Sequence, residues 1–139
     1  GGQQTVAWAN SVWVYMDLEN GRPVRPGRRE IELYGTGEPL PVEYAPRKIE
    51  LPLEWKAKEP FPVRKYHIDT NEHVNNCQYV QMALEVLDGT ADVRKMRVEY
   101  KKSAVYGDII YPKAAYEEER TVVELCGEAG QTYAVVEFS

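Results

Sequence analysis

Eight residues, Asp69-Thr70-Asn71-Glu72-His73-Val74-Asn75-Asn76, place a carboxylate, a carboxamide and an imidazole at alternate positions. Cys77-Gln78-Tyr79 then leads into a segment whose apolar residues have helical spacing. Alternate side chains of extended backbone project to one side. The spacing therefore predicts that Asp69, Asn71 and His73 converge while Thr70 and Glu72 point away. A helix beginning just beyond them supplies unpaired backbone N–H groups and the positive end of a dipole. Acid, amide, base and an anion-friendly helix end together suit hydrolysis of an activated carbonyl.

Each member also has a plainer reading. An imidazole can take a proton from water as it attacks a carbonyl, a role worth about 10²–10⁴ in rate; alternatively His73 is a helix-start residue bonded to backbone. Asn71 can donate to a carbonyl oxygen, hold the water, or simply close an Asx-turn. Asp69 can orient His73, act as the base itself, or bind helix N–H groups as a loop carboxylate. Asn75 and Asn76 read as helix caps. Cys77 stands four residues after His73, but a thiol inside an apolar helix is expected to be buried and silent. His67, Asp69 and His73 have weak spacing for a metal site, so neither metal nor organic cofactor is expected.

The elements around the run are legible from periodicity. Residues 5–16 are β-branched and aromatic and read as one long strand. Residues 17–48, crowded with Gly and Pro, form a connector with a short helical turn near 29–34. Strands are expected at about 49–57 and 61–67, then a helix over about 75–88. Val80, Ala83, Leu84 and Leu87 follow i, i+3, i+4, i+7, with Met82 and Val86 widening the stripe, so the helix is expected to be buried over most of its circumference. Asp88-Gly89 ends it. Strands at 93–104, 108–118, 120–126 and 131–138 complete the chain, the last two joined by a hairpin across Gly127–Gly130. This is an α+β arrangement, an antiparallel sheet around one helix.

Bulk properties narrow the partners. A chain of 139 residues is one domain by length and buries roughly two-thirds of its unfolded surface. Its net charge of −5 argues against general nucleic-acid binding. No apolar run approaches the ~20 residues of a membrane span, and no signal-peptide pattern is read. Cys77 and Cys126 lack C-x-x-C spacing and read as reduced thiols, which gives a cytoplasmic expectation. Basic residues nonetheless cluster at Arg22–Arg29, Arg47-Lys48 and Arg94–Lys102.

With helix, meander and D-x-N-x-H-V-N-N-x-x-Y in place, residues 49–139 resemble a hotdog-fold thioesterase, and more narrowly the C-terminal half of the plant and bacterial acyl-ACP thioesterases. That family carries two hotdog units in tandem, with the catalytic run in the second. Ser11–Asp17 and Gly21–Arg25 look like the last strand of the first unit and the start of the linker (residues 1–16 and 17–48), and Tyr44–Ile49 like the lead into the second. The resemblance implies Asp69, Asn71 and His73 as catalytic residues, and an oxyanion-stabilising amide near Asn75–Cys77. In some other hotdog thioesterases an aspartate at the corresponding place attacks the thioester directly. Two departures stand out. Tyr100-Lys101-Lys102 leads into Ser103-Ala104, where the family commonly places a carboxylate and, in plants, a cysteine. Only one hotdog unit is present.

The resemblance further implies release of a free fatty acid from acyl carrier protein in fatty-acid synthesis. Tyr79 and Ser103 are then candidates for substrate contact, with Tyr66 and Trp55 as further candidates to line an acyl slot. Arg94, Arg97, Lys101 and Lys102 are candidates for contact with the acidic carrier. A second hotdog, from another copy or another segment, is the expected structural partner. The rivals are an acyl-CoA thioesterase relying on Asp69, and a non-catalytic acyl-binding or dimerisation module. A hotdog dehydratase is disfavoured because no H-x-x-x-F-P-G-type run is present.

Overall fold

The computed structural model describes residues 4–35, 37–89 and 92–139. They divide into two compact units, residues 1–45 and 46–139. In the first, β1 (Met16–Asp17) pairs with β2 (Arg22–Pro23) around a turn at Gly21, and α1 (Arg28–Tyr34) follows.

The long strand expected over residues 5–16 is not formed: residues 4–15 carry no regular structure, and residues 1–3 lie outside the described residues. Val6, Trp8, Val12 and Trp13 are exposed, Val6 at 93% and Trp13 at 86%. A strand is stable only when a ladder partner takes its N–H and C=O groups. Among the described residues only Tyr15 of this segment has one, its carbonyl accepting the Val24 N–H at 2.9 Å.

The second unit is an antiparallel sheet with one helix on its inner face, the α+β hotdog fold. Its elements are β3 (Lys56–Ala57), β4 (Phe61–Pro62), a 3₁₀ turn (Lys65–His67), α2 (Asn76–Glu85), β5 (Met96–Tyr100), β6 (Ile109–Tyr116), β7 (Thr121–Cys126) and β8 (Thr132–Phe138). The order is β3-β6-β7-β8-β5, with β4 also on β6. The β7–β8 hairpin forms as expected. Gly127 donates to Gln131 O, and Gly130 takes the left-handed φ of 78° that closes the turn.

The expected strands at 49–57 and 61–67 shrink to two ladder residues each. Pro52, Pro60 and Pro62 have no N–H to give a ladder. Residues 46–55 instead cross the outer face of the sheet as a strap. Ile49 and Trp55 pack there on Val122 and Val135.

Helix α2 buries Tyr79, Met82 and Ala83 and, in part, Val86. That is again i, i+3, i+4, i+7, but one residue earlier than the stripe read from the sequence. Leu84, expected inside, is 43% exposed. Tyr79 can take the inner position because its hydroxyl accepts the Ala104 N–H at 2.8 Å. Against it pack Val123 and Leu125 of β7 and Ala134 and Val136 of β8. Truncating a buried methionine such as Met82 costs about 2–5 kcal/mol.

The outer face holds two buried carboxylates. Glu124 pairs with Lys113 at 2.7 Å and accepts from Thr132, while Lys113 lies over the Trp55 ring at 4.7 Å. Glu137 binds Arg97 at 3.0 Å and Arg120 at 2.7 Å. Arg97 also donates to the Pro46 and Lys48 carbonyls, at 2.6 and 3.1 Å, so it fastens the strap to the sheet.

Burial works against the charge on Glu137, but the hydrogen bonds from Arg120 and Arg97 outweigh it and hold its carboxyl below the ordinary 4.5. A carboxyl depressed in the folded state stabilises fully above its unfolded value, and that contribution is lost as pH falls through the folded one. Unfolding midpoints measured from pH 7 to pH 3 are therefore expected to fall below about pH 4.5, and Glu137→Gln is expected to flatten that acid limb.

Candidate functional site

The run at residues 69–76 does not extend; it turns. Ile68 bridges Val74 in antiparallel sense, Asp69 N–H donates to His73 O at 2.8 Å, and Glu72 N–H donates to Asp69 O at 3.1 Å. Thr70, Asn71 and Glu72 are thus a three-residue hairpin loop, and Glu72 takes the left-handed position such loops need, at φ 61°.

The Asp69 carboxylate faces inward on the turn, accepting the Asn71 N–H at 2.8 Å and the His73 N–H at 3.4 Å. This is an Asx-type closure, which fits Asp69 as a turn-maker. It also corrects the alternation expected from extended backbone. The three side chains are arranged by a loop, and Glu72 joins Asn71 and His73 instead of pointing away.

Asn71, Glu72 and His73 line an open cleft of about 480 Å³ together with Lys65, Ile68, Val105 and Tyr106. Asp69 is not among the lining residues. The cleft combines an imidazole, a carboxamide, a carboxylate and an ammonium with the apolar surfaces of Ile68, Val105 and Tyr106. Lys65 Nζ lies 5.9 Å from the Tyr106 ring centre, at the outer limit of a cation–π contact.

One residue ties the walls together. Ala104, fully buried, accepts the Val74 N–H at 2.9 Å through its carbonyl and donates its own N–H to Tyr79. The 104–108 wall is further pinned where Tyr133 donates to Asp108 at 2.8 Å and Asp108 accepts the Val105 N–H at 3.1 Å. Tyr79, a candidate for substrate contact, is 2% exposed and spends its hydroxyl on this join. Ser103 is exposed beside it; Tyr66 is 77% exposed and Trp55 lies on the outer face.

Asn75 is the N-cap of α2, its side chain accepting the Cys77 N–H at 2.9 Å. The Asn75 N–H itself donates to the His67 carbonyl at 2.9 Å, so two of the three amides expected to be available are consumed. The Asn76 N–H has no acceptor among the described residues. The expectation of a buried Cys77 fails: the thiol is exposed, because at two residues before Tyr79 it lies on the opposite face of α2, the face that also carries the exposed Gln81 and Leu84.

His67 is 7% exposed, and its Nδ1 accepts the Arg64 N–H at 2.9 Å. Burial pushes its pKa down, which keeps the ring neutral as that bond requires. Among the described residues no three His, Cys, Asp or Glu side chains are assembled as metal ligands.

Of the four basic candidates for carrier contact, Arg97 is spent on Glu137 and the strap. Arg94 reaches Asp92 at 3.4 Å and Lys101 reaches Glu99 at 3.2 Å. Lys102 is exposed and makes no ion pair among the described residues. Lys65 and Glu72 were missed as cleft residues. The three-residue spacing from Asp69 to Glu72 was the available signal, since an Asx residue opening a short loop puts its successors on one turn.

Residues 51–138 match the family described as "Acyl-ACP thioesterase C-terminal domain". The chain belongs to that family. Its fold is similar to an acyl-ACP thioesterase from Bacteroides thetaiotaomicron, at 21% identity and a TM-score of 0.73 over 88% of this chain and 51% of that one. It is also similar to the 12:0-ACP thioesterase from Umbellularia californica, at 16% identity and a TM-score of 0.64 over 88% and 50%. The chain thus spans about half the length of these structures. No curated protein matches the sequence. No helix among the described residues is long and apolar enough to cross a membrane.

The Ala104 join makes a stability prediction. Tyr79→Phe leaves a buried N–H without its acceptor and is expected to cost about 1–3 kcal/mol in denaturant unfolding. Tyr66→Phe, at the exposed surface, is expected to cost less than about 0.5 kcal/mol.

Proposed function

We propose that this chain carries the hydrolytic site of an acyl-ACP thioesterase, which releases a free fatty acid from acyl carrier protein in fatty-acid biosynthesis. The observation that carries the reading is the convergence of Asn71 and His73 on one cleft, in a chain that belongs to this family.

His73 takes a proton from water as it attacks the thioester carbonyl, and returns it to the departing thiolate. Asn71 donates its amide to the carbonyl oxygen. The Asn76 N–H, at the positive end of α2 and without an acceptor among the described residues, is the helix amide proposed to stabilise the developing oxyanion. Asp69 serves by shaping the loop that presents the other two.

Lys101, Lys102 and Arg94, exposed on one stretch around β5, are the proposed contacts for the acidic carrier. Residues 1–16, with Val6, Val12 and Trp13 exposed, are read as the closing strand of a preceding hotdog, residues 17–48 as the linker, and the working unit as a pair of hotdogs. Both thiols are free, in keeping with a reducing cytoplasm.

Hydrolysis of a panel of acyl-ACPs tests the reading. His73→Ala is expected to lower the rate about 10²–10⁴-fold. Asn71→Ala is expected to lose about 10²–10³-fold, as for removal of an oxyanion donor. Equal background rates for wild type and both variants would remove the assignment. Competition between acyl-ACP and acyl-CoA separates this enzyme from an acyl-CoA thioesterase, and ligand binding without turnover would mark a non-catalytic module.

A further inference from the structure

The loop that carries Asn71 and His73 is rooted at His67. Three successive rungs close its hairpin: Asp69 N–H to His73 O at 2.8 Å, the Ile68–Val74 bridge, and Asn75 N–H to His67 O at 2.9 Å. Asn75 is also the N-cap of α2, so the outermost rung fixes the start of the helix as well as the foot of the loop. On its other side His67 closes the 3₁₀ turn Lys65–His67. Its backbone N–H donates to Arg64 O at 3.0 Å and its Nδ1 accepts the Arg64 N–H at 2.9 Å. Lys65 and Ile68 line the cleft, while the imidazole between them is buried.

The side-chain bond needs a bare ring nitrogen. With a proton on both nitrogens the imidazole has only donors, and Nδ1–H would face the Arg64 N–H. The ring must then turn away or the turn must open, and either moves the foot of the loop. Burial is the largest influence on the ring and holds its pKa below the ordinary 6.5; Glu85 of α2 pulls the other way, and Arg64 adds to the lowering. Tyr66 packs edge-on against the ring, with 4.3 Å between centroids. A histidine held neutral in the fold contributes its stability fully above its unfolded value, and that contribution is lost as pH falls through the folded one.

We propose that His67 is a positioning residue of the hydrolytic site: its neutral ring holds the 64–67 turn against the foot of the loop bearing Asn71 and His73, and a proton on Nδ1 releases that hold. This deepens the thioesterase reading given above and rests on it. His73 exchanges protons with water and thiolate, whereas His67 touches neither and acts through the hairpin.

The experiment follows the 139-residue chain, His67→Gln and His67→Phe by acyl-ACP hydrolysis and by amide NMR, with His73→Ala as the background. The range runs from about pH 8 to about pH 5, which stays above the acid limb of Glu137. In the wild type the Arg64, Asn71 and Asn75 amide resonances are expected to move together with the His67 ring, with one midpoint below about pH 6.5. A glutamine at the third position of a helical turn reaches back to the same N–H without titrating. In His67→Gln those shifts are therefore expected to vanish, kcat at the alkaline end to stay close to wild type, and the acid limb of kcat to become shallower. His67→Phe keeps a ring without an acceptor, and is expected to lower kcat about 10–100-fold at every pH with KM little changed.

Wild-type amides that stay still while the ring titrates overturn the proposal and leave the thioesterase reading standing. So does an acid limb in His67→Gln as steep as that of the wild type, or a folded His67→Phe at full rate. A wild type no faster than His73→Ala removes the thioesterase reading, and with it the role given to His67 in hydrolysis.

Discussion

Ala104 is the point on which the site depends. Its two backbone groups are out of water, and each has one partner: the carbonyl takes the Val74 N–H and the amide gives to the Tyr79 hydroxyl. Those bonds join the hairpin loop, the helix and the 104–108 wall. Leaving either group unpaired in the interior costs more than a typical hydrogen bond contributes on balance. The cleft therefore has a fixed rear wall although most of its lining is open to solvent. A tyrosine on the inner face of α2 is what makes this possible, since no aliphatic side chain would accept the Ala104 N–H.

The rest of the molecule supports that inner face from behind. A sheet with one helix on one side still exposes its other side, and here the outer face is closed by a strap and not by a second layer of helices. Ile49 and Trp55 cover Val122 and Val135, and two buried carboxylates are neutralised by Lys113, Arg97 and Arg120. Buried ion pairs contribute little when compared with an apolar replacement, but breaking one leaves a charge without compensation. Arg97 adds positional information, because its remaining donors fix where the chain enters the unit. This is also why Arg97 is lost to any surface role despite standing in a basic cluster.

Much of this was legible in the sequence, for identifiable reasons. The β7–β8 hairpin follows from alternating β-branched residues around a glycine-bearing loop, all within some twenty positions, so local preference and tertiary pairing agree. The place of α2 followed from its apolar spacing, and the Asp69–Asn76 run carried the family resemblance that residues 51–138 bear out. The failures have equally local causes. Helical spacing identified Met82, Ala83, Val86 and Leu87 as inward, but it put Leu84 inside and left Tyr79 out, because the partner that lets the Tyr79 hydroxyl be buried lies far along the chain. Alternation assumed extended backbone through Asp69–His73, whereas the Asp69 carboxylate closes a loop across it. Cys77 was assigned by the character of its helix, but it lies on the face of that helix opposite Tyr79.

Composition and periodicity alone determined where α2 and the strands β5–β8 lie, and which short run is the candidate for the chemistry, because those depend on torsional preference and on residues close in the chain. Tertiary structure decided which way the side chains of that run face, which stripe of α2 is buried, which arginine is spent indoors, and that residues 4–15 stay without regular structure. Each of these turns on a partner far along the chain, or on the lack of one among the described residues. A hydrogen bond or a buried contact exists only once both of its ends are in place.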